Sequence, residues 1–188
     1  MNTRARQFGR STLRLLTGDI TRIPVDAIAN AANSALAGGV GVDGAIHRAA
    51  GPGLMRELDA VRPADGLPAG QAVATGAGDL PAKFVFHAVG PIWRGGKHGE
   101  AEALVSCYLS CLRLAEERAA RTLSFPSIST GAYGYPVDEA AALALNTVAG
   151  YFEQHQADTL IDEVLFVLFD GPTFSAYARA LDRRSSVE

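Results

Sequence analysis

The feature that most constrains the fold is an almost uninterrupted apolar run at residues 163–169, Glu-Val-Leu-Phe-Val-Leu-Phe. A strand with apolar side chains on both sides of its pleat must be covered on both faces. This is typical of a parallel sheet that has helices in front of it and behind it. The rest of the chain should therefore alternate between strands and helices.

The remaining sequence shows that alternation. Short apolar or alternating runs predict further strands at residues 11–17, 25–30, 71–75, 84–89 and 122–127. Helical periodicity predicts helices at residues 43–61, stopped by Pro63, and at residues 100–120, 137–154 and 172–181. We therefore expect one α/β domain over residues 1–188, a helix/sheet/helix sandwich with a frayed tail at about residues 183–188.

Composition excludes several classes of protein. Hydrophobic residues make up 48% of the chain and charged residues 20%, which favours a folded core over disorder. No apolar run approaches the ~20 residues of a membrane span, and the first ten residues are polar and Arg-rich, so we expect a cytoplasmic protein with no membrane partner. The net charge of -3 makes nucleic acid an unlikely partner. We interpret the N-terminal arginines as solvated surface (Arg4, Arg6, Arg10 and Arg14).

The two cysteines, Cys107 and Cys111, lie four residues apart on one face of a predicted helix. We interpret them as buried, reduced thiols, because a zinc site would need two further ligands at close spacing and the sequence offers none. No metal or cofactor is expected.

Four loops follow predicted strands, at residues 17–21, 30–44, 129–136 and 169–172. Ligands bind outside the carboxyl ends of strands in open α/β sheets, so these loops are the candidate site. Two of them are rich in glycine and lead into helices, whose free amides attract anions, so together they could hold a pyrophosphate. Two ordinary flexible turns would give the same pattern. Neither a phosphate-binding G-x-x-x-x-G-K-[ST] motif nor a dinucleotide G-x-G-x-x-G motif is present.

Polar side chains accompany the first glycine-rich loop. Asp43 and His47 lie four apart on one helix face, where they could contact a substrate or position a water; Asp43 could equally be an N-cap, and His47 a structural histidine. Asn33 is the better candidate for pairing with sugar hydroxyls, whereas Asn30 fits a local turn role.

Two other strand ends carry candidate contacts for a nucleotide base. Asp19 could accept a hydrogen bond from an exocyclic amine or a ribose hydroxyl, or it could simply be solvated. Phe169 and Phe174 flank the last strand end. Either could stack on a purine, with core packing as the alternative.

Taken together, these motifs resemble a MacroD-type member of the macrodomain family. The similar segments occur in the family's order from about Thr17 to Asp170: residues 18–21 (GDIT), 25–28 (VDAI), 30–33 (NAAN), 41–51 (GVDGAIHRAAG), 80–83 (LPAK), 87–91 (HAVGP), 127–131 (SISTG) and 133–136 (YGYP). Several motifs in order are far more specific than any one alone.

The resemblance implies a three-layer α/β/α sandwich with a mixed central sheet that binds ADP-ribose. It also implies a metal-independent hydrolase that removes mono-ADP-ribose from acidic side chains of proteins and deacetylates O-acetyl-ADP-ribose. Asp43 would be the main catalytic residue, as general base or by orienting the substrate, with His47 and Asn33 assisting.

The same resemblance implies the binding residues. Asp19 would hold the adenine amine with backbone support from Ile20, Asn33 would contact the distal ribose, and Phe169 or Phe174 would lie against the adenine. The phosphates would be wrapped by Gly39, Val40, Gly41 and Val42 on one side and by Ser129, Thr130, Gly131, Ala132 and Tyr133 on the other.

One position departs from the family pattern. Val40 stands where the family more often has glycine, and because valine tolerates positive φ poorly we expect a locally different backbone. Two other functions fit parts of the sequence. A binding-only reader of ADP-ribosylated proteins would need the loops but not the Asp43 and His47 pair. A module that binds RNA or poly(ADP-ribose) fits the charge less well.

Overall fold

The computed structural model describes residues 2–185 of the chain. Within these residues seven strands form one sheet, in the order β1-β2-β7-β6-β3-β5-β4. Their bounds are β1 Thr3–Phe8, β2 Ser11–Thr17, β3 Ala27–Ala32, β4 Ala72–Gly76, β5 Phe84–Val89, β6 Thr122–Phe125 and β7 Glu163–Leu168. The five central strands are parallel, whereas β1 and β4 pair antiparallel at the two edges. The sheet is therefore mixed, as expected.

Helices cover both faces of this sheet. Their bounds are α1 Gly41–Ala50, α2 Gly53–Val61, α3 Glu100–Glu117, α4 Val137–Gln154 and α5 Gly171–Ser185. Side chains of α1 and α2 pack in apolar clusters on one face, and side chains of α3, α4 and α5 pack in the larger cluster on the other. The predicted three-layer α/β/α sandwich is confirmed.

Strand β7 shows why the sheet needs both helical layers. Phe166 faces α3, α4 and α5 together with its second neighbours Val164 and Leu168, while Leu165 and Val167 face α1 and α2. All five side chains are buried. β7 lies between β2 and β6 and runs parallel to both, so the carboxyl ends of these three strands lie at one common edge of the sheet.

The predicted helix over residues 43–61 is two helices. Gly51 ends α1 with φ of 76°, a left-handed torsion that glycine adopts without strain, and Pro52 then precedes α2. The periodicity misses this break because Leu54 and Leu58 of α2 are also fully buried, so the apolar pattern continues across it.

The two ends of the chain also differ from expectation. Residues 3–8, for which no strand was predicted, form the edge strand β1, whose side chains are mostly exposed apart from buried Phe8. At the other end α5 continues past Leu181, and Arg184 donates to Glu153 Oε2 at 2.6 Å. The part of the predicted frayed tail at residues 186–188 lies outside the described residues.

Cys107 and Cys111 are both buried, and neither forms a disulfide bond. The Cys107 thiol donates to the Val89 carbonyl oxygen at 2.9 Å, and burial raises its pKa to about 12. Among residues 2–185, none of the helices combines the length and apolar composition that a membrane span requires.

Candidate functional site

The parallel strands deliver four loops to one edge of the sheet. We call residues 38–44, which lead into α1, the first glycine loop, and residues 129–136, which lead into α4, the second glycine loop. The first follows β3 and the second follows β6, and β3 and β6 are neighbours in the sheet. The two glycine loops are therefore brought side by side by the strand order.

A cavity of about 260 Å³ lies between the two glycine loops. It brings together most of the residues that the sequence singled out around the phosphates and the distal ribose. Its lining includes Asn33, Gly39, Val40, Gly41, Val42, Asp43, Ser129, Gly131, Ala132 and Tyr133. Thr130 does not line it; its hydroxyl lies 2.8 Å from Ser127 Oγ and 3.0 Å from the Ser127 carbonyl oxygen.

Both glycine loops carry backbone amides without a hydrogen-bond acceptor. Among residues 2–185, the amides from Gly39 to Asp43 donate to no protein group, and the same holds from Thr130 to Tyr133. The first internal donation in α1 comes from Gly44, to the Val40 carbonyl oxygen. Free amides at a helix N-terminus favour a negative charge, so these two runs suit an anionic ligand.

Val40 does not disturb the first glycine loop in the way its β-branched side chain suggests. Its φ is -105° and its ψ is 179°, so it is extended, and its side chain is largely exposed. The left-handed torsions fall on its neighbours instead, at Gly38 with φ of 73° and Gly41 with φ of 64°. The backbone at Val40 is therefore unstrained, and the expectation that it differs locally from that of other family members stays a prediction.

Asp43 is the buried carboxylate of the cavity. It is the third residue of α1 rather than its N-cap, since Val40 occupies the cap position without a side-chain hydrogen bond. Its Oδ1 accepts from Asn30 Nδ2 at 2.6 Å and lies 3.3 Å from His47 Nε2. Within the described chain no group donates to Oδ2, which lies 3.0 Å from where a Cβ on Gly39 would stand. Asp43 thus has one oxygen held by the protein and one left open.

Behind Asp43 a row of buried polar side chains crosses three strands. Asn30 Nδ2 lies 3.2 Å from His87 Nδ1, and His87 Nε2 lies 2.9 Å from Thr75 Oγ1. Asn30 and His87 are fully buried. Burial lowers the pKa of His87 to about 3, with a further contribution from the charge of nearby His47.

Sequence reasoning missed this row. It assigned Asn30 to a local turn and gave no functional role to His87 or Thr75. The signal was available in part, because a histidine in the middle of the apolar strand Phe84–Val89 must be buried. That Asn30 lies directly opposite His87 depends on the pairing of β3 with β5, which a single sequence does not reveal.

The side-chain amide of Asn33 holds the start of the first glycine loop by hydrogen bonds. Its Nδ2 donates to the Gly38 carbonyl oxygen at 2.8 Å, and its Oδ1 accepts from the Ala37 amide at 3.3 Å. Since Asn33 also lines the cavity, its amide both shapes the loop and borders the space where a ligand would lie.

Asp19 and Phe169 lie at neighbouring strand ends, outside the lining of this cavity. Thr17 of β2 pairs with Leu168 of β7, so the residues that follow leave the sheet side by side. Asp19 begins a 3-10 turn at Ile20–Arg22 and accepts from the Thr21 hydroxyl and the Thr21 amide. The hydrogen bond from that hydroxyl lowers the pKa of Asp19, although burial opposes it.

The apolar candidates at this end differ in availability. Phe169 is 90% exposed, whereas Phe174 is 8% exposed and packs in the core under α5. Ile20 is buried against the α1 and α2 side of the sheet. Of the two phenylalanines, Phe169 has the ring free to meet a ligand.

Titratable groups do not gather into a metal site here. Among residues 2–185, no three His, Cys, Asp or Glu side chains are grouped so that they could hold a metal ion.

Comparison with known proteins agrees with this architecture. A family model described as Macro domain matches residues 29–144. The O-acetyl-ADP-ribose deacetylase of Salmonella gallinarum is 50% identical over 175 residues, which cover 93% of this chain and 96% of that protein.

Solved structures agree as well. The Oceanobacillus iheyensis macrodomain with ADP superposes with a TM-score of 0.94 at 38% identity, over 100% of this chain and 98% of that one. The Trypanosoma brucei macrodomain in complex with ADP-ribose gives a TM-score of 0.81 at 37% identity, over 90% of this chain and 68% of that one. Because the family model spans more than half of the sequence and these relatives cover nearly all of it, the chain belongs to the macro domain family.

Proposed function

We propose that this chain binds ADP-ribose across the two glycine loops and hydrolyses ester bonds at its distal ribose. The observation that carries the proposal is the cavity itself, where two runs of acceptor-free amides meet beside the open oxygen of buried Asp43. Amides that bind a diphosphate explain how a chain of net charge -3 holds a doubly negative ligand without a cluster of lysines or arginines. The names of the Salmonella relative and of the Trypanosoma complex support the same ligand.

The proposed ligand runs along the carboxyl edge of the sheet. The adenine lies at the ends of β2 and β7, where Asp19 accepts from its amine, Ile20 supports it through backbone, and Phe169 rather than Phe174 stacks on its ring. The phosphates lie between Gly39, Val40, Gly41 and Val42 of the first glycine loop and Ser129, Thr130, Gly131, Ala132 and Tyr133 of the second. The distal ribose then reaches Asn33 and Asp43.

The proposed reaction is hydrolysis of a carboxylate ester of the distal ribose. Water adds across the ester, the carboxylic acid leaves, and ADP-ribose is regenerated. The substrates are O-acetyl-ADP-ribose and mono-ADP-ribose on acidic side chains of proteins. Asp43 Oδ2 activates the water or orients the ribose, while His47 lies beside Oδ1 on the same helix face.

Replacing Asp43 tests the catalytic part of the proposal. We expect Asp43→Ala to keep ADP-ribose binding, because the amides remain. Its kcat should fall by about 10²–10⁴-fold, the usual contribution of a positioned base. The measurement is a time course with an auto-ADP-ribosylated acceptor protein and with O-acetyl-ADP-ribose, alongside calorimetry with ADP-ribose. Asp59→Ala, which removes an exposed carboxylate from α2, is the matched control.

The outcomes separate three readings. Equal turnover by Asp43→Ala and parent would remove Asp43 from the mechanism. Binding without turnover of either substrate by the parent would indicate a reader of ADP-ribosylated proteins. A titration in which free ADP-ribose gives neither heat nor a rise in Tm would overturn the proposal as a whole.

Metal removal tests a separate part. We expect the turnover of the purified protein to be unchanged after EDTA treatment, because in this proposal Asp43 and the amides carry out the reaction without a metal ion. The measurement compares the rate before EDTA, after EDTA, and after adding back Mg²⁺ or Zn²⁺. Loss with EDTA and recovery with either metal would contradict metal-independent turnover.

A further inference from the structure

The row Thr75, His87 and Asn30 ends at Asp43 Oδ1 and is buried along its length. Thr75 is 6% exposed, and Asn30 and His87 are 0% exposed. Each member comes from a different strand, β4, β5 and β3, so the row is held by the hydrogen bonds of the sheet itself. A buried polar chain of this kind is costly unless its donors and acceptors are matched, which fixes how each group must be oriented.

The Thr75 end of the row sets the tautomer of His87. The Thr75 hydroxyl has one hydrogen, and it donates to the Gly76 carbonyl oxygen at 2.9 Å. Toward His87 Nε2, also at 2.9 Å, the hydroxyl oxygen must therefore accept, so Nε2 carries the ring hydrogen. A neutral imidazole has one N–H, which leaves Nδ1 as a bare acceptor.

That bare nitrogen sets the orientation of the Asn30 amide. Asn30 Nδ2 has two hydrogens: one donates to His87 Nδ1 at 3.2 Å and the other to Asp43 Oδ1 at 2.6 Å. With the amide reversed, Asn30 Oδ1 would face a carboxylate oxygen and an imidazole lone pair, which is repulsive on both sides. In the observed orientation Asn30 Oδ1 is buried without a partner, so the amide keeps this orientation despite a lost hydrogen bond.

We propose that His87 is a positioning residue, which acts through the Asn30 amide to hold Asp43 Oδ1 and so direct Oδ2 into the cavity. The proposal rests on the proposed function in one respect, since it takes Asp43 as the group that acts on the substrate. It adds three residues to that function, Asn30, His87 and Thr75, none of which reaches the cavity lining. The chemistry remains with Asp43.

A positioning role predicts a particular kinetic pattern. ADP-ribose binding depends on the loop amides, so it should survive the loss of His87, whereas the rate should fall with the loss of a fixed carboxylate. We expect His87→Leu to lower kcat by about 10-fold or more, with the Kd for ADP-ribose within about twofold of the parent. His87→Asn, whose side-chain oxygen can accept where Nδ1 does, should recover most of the rate.

A control variant and a double variant test whether His87 acts through Asp43. Ser124→Ala removes a hydroxyl that is equally buried in the neighbouring strand β6 but has no partner, so its kcat should match the parent. The double variant Asp43→Ala/His87→Leu should be no slower than Asp43→Ala alone, because residues that act as a unit are not additive. Unchanged kcat in His87→Leu, or a multiplicative loss in the double variant, would overturn the proposal.

Two readouts do not depend on turnover. Long-range ¹H–¹⁵N spectra of the parent at about pH 7 should show His87 protonated at Nε2 and bare at Nδ1, and the opposite tautomer would overturn the argument. Melting curves report on the fold of each variant; if His87→Leu is unfolded, Thr75→Val, which keeps a β-branched side chain in β4, takes its place and should also lower kcat with Kd unchanged. Absence of turnover in the parent would instead count against the proposed function and leave the tautomer test standing.

Discussion

Phe169 leaves a whole aromatic ring in solvent at the carboxyl end of β7. A fully buried phenylalanine side chain gains about 1.5–3 kcal/mol from leaving water, and at 90% exposure Phe169 gains almost none of this. The ring stands next to the turn that holds Asp19, where the adenine is proposed to lie. Its exposure in the free protein is thus what a stacking surface requires.

Replacing this ring should weaken binding without weakening the fold. We expect Phe169→Ala to weaken the binding free energy for ADP-ribose by about 1–3 kcal/mol, the usual contribution of a base stacked on an aromatic ring. The Tm should change little. Calorimetry and melting curves measure the two effects. Phe174→Ala is the contrasting variant, because removing this buried ring should lower the free energy of unfolding by about 3–5 kcal/mol. An unchanged Kd in Phe169→Ala would place the adenine elsewhere.

Single residues also show where sequence reasoning stops. The Asp43 and His47 contact follows from their spacing on one helix, and it was predictable for that reason. The contact of Asn30 with His87 joins residues that are 57 positions apart, through strand pairing. Predicting this contact requires the register of β3 against β5, which the sequence alone does not reveal, and Asn30 was therefore assigned to a turn.

At the scale of elements, the start of α1 is packed against the first glycine loop. A Cβ on Gly44 would lie 2.5 Å from the Gly39 carbonyl oxygen, which is backbone and has little freedom to move away. The absence of a side chain at Gly44 therefore lets the helix N-terminus and the loop share one space. The amides from Gly39 to Asp43, which donate to no protein group among the described residues, lie beside this contact.

The same substitution in two helices should give opposite results. Gly44→Ala should lower Tm and weaken ADP-ribose binding, because α1 and the loop must separate. Gly150→Ala, in α4, meets no atom within 4 Å and should raise stability by about 0.5–1 kcal/mol through better helix propensity. Thermal unfolding and calorimetry on both variants test this. Normal binding by Gly44→Ala would mean that the loop does not need the close contact.

The bounds of strands and helices were predicted correctly where apolar residues recur regularly along the segment. Strands β2 and β5 and helix α4 have the predicted bounds, because apolar spacing and flanking proline or polar residues define them. Strand β1 was missed because an exposed edge strand has no apolar face to recognise. The break between α1 and α2 was missed because it is made by the backbone torsion of Gly51 rather than by a change of pattern.

For the whole molecule, His87 links stability to pH. Its pKa is about 3 in the folded chain, against 6.5 as its ordinary value, so below about pH 6.5 the unfolded chain binds a proton that the folded chain does not. Stability contributed by neutral His87 is therefore present above pH 6.5 and is lost as the pH falls toward 3. Between pH 7 and pH 5 this loss is about 2 kcal/mol.

Comparison of the parent with His87→Asn isolates that effect. The asparagine does not titrate, so the difference in unfolding free energy between the two proteins should shrink by about 2 kcal/mol on going from pH 7 to pH 5. Urea unfolding at several pH values measures it. A difference that stays constant over this range would mean that the pKa of His87 is the same in the folded and the unfolded chain.

The edge strand β1 has a consequence for how copies of the molecule meet. Sheets that end in long apolar strands recruit further strands from other chains, which leads to fibres and precipitates. Here the outermost strand is six residues long and carries two arginines, Arg4 and Arg6, with its side chains mostly in water. A second chain that added its own strand there would have to strip water from these cations, and this border of the sheet therefore opposes aggregation at high concentration.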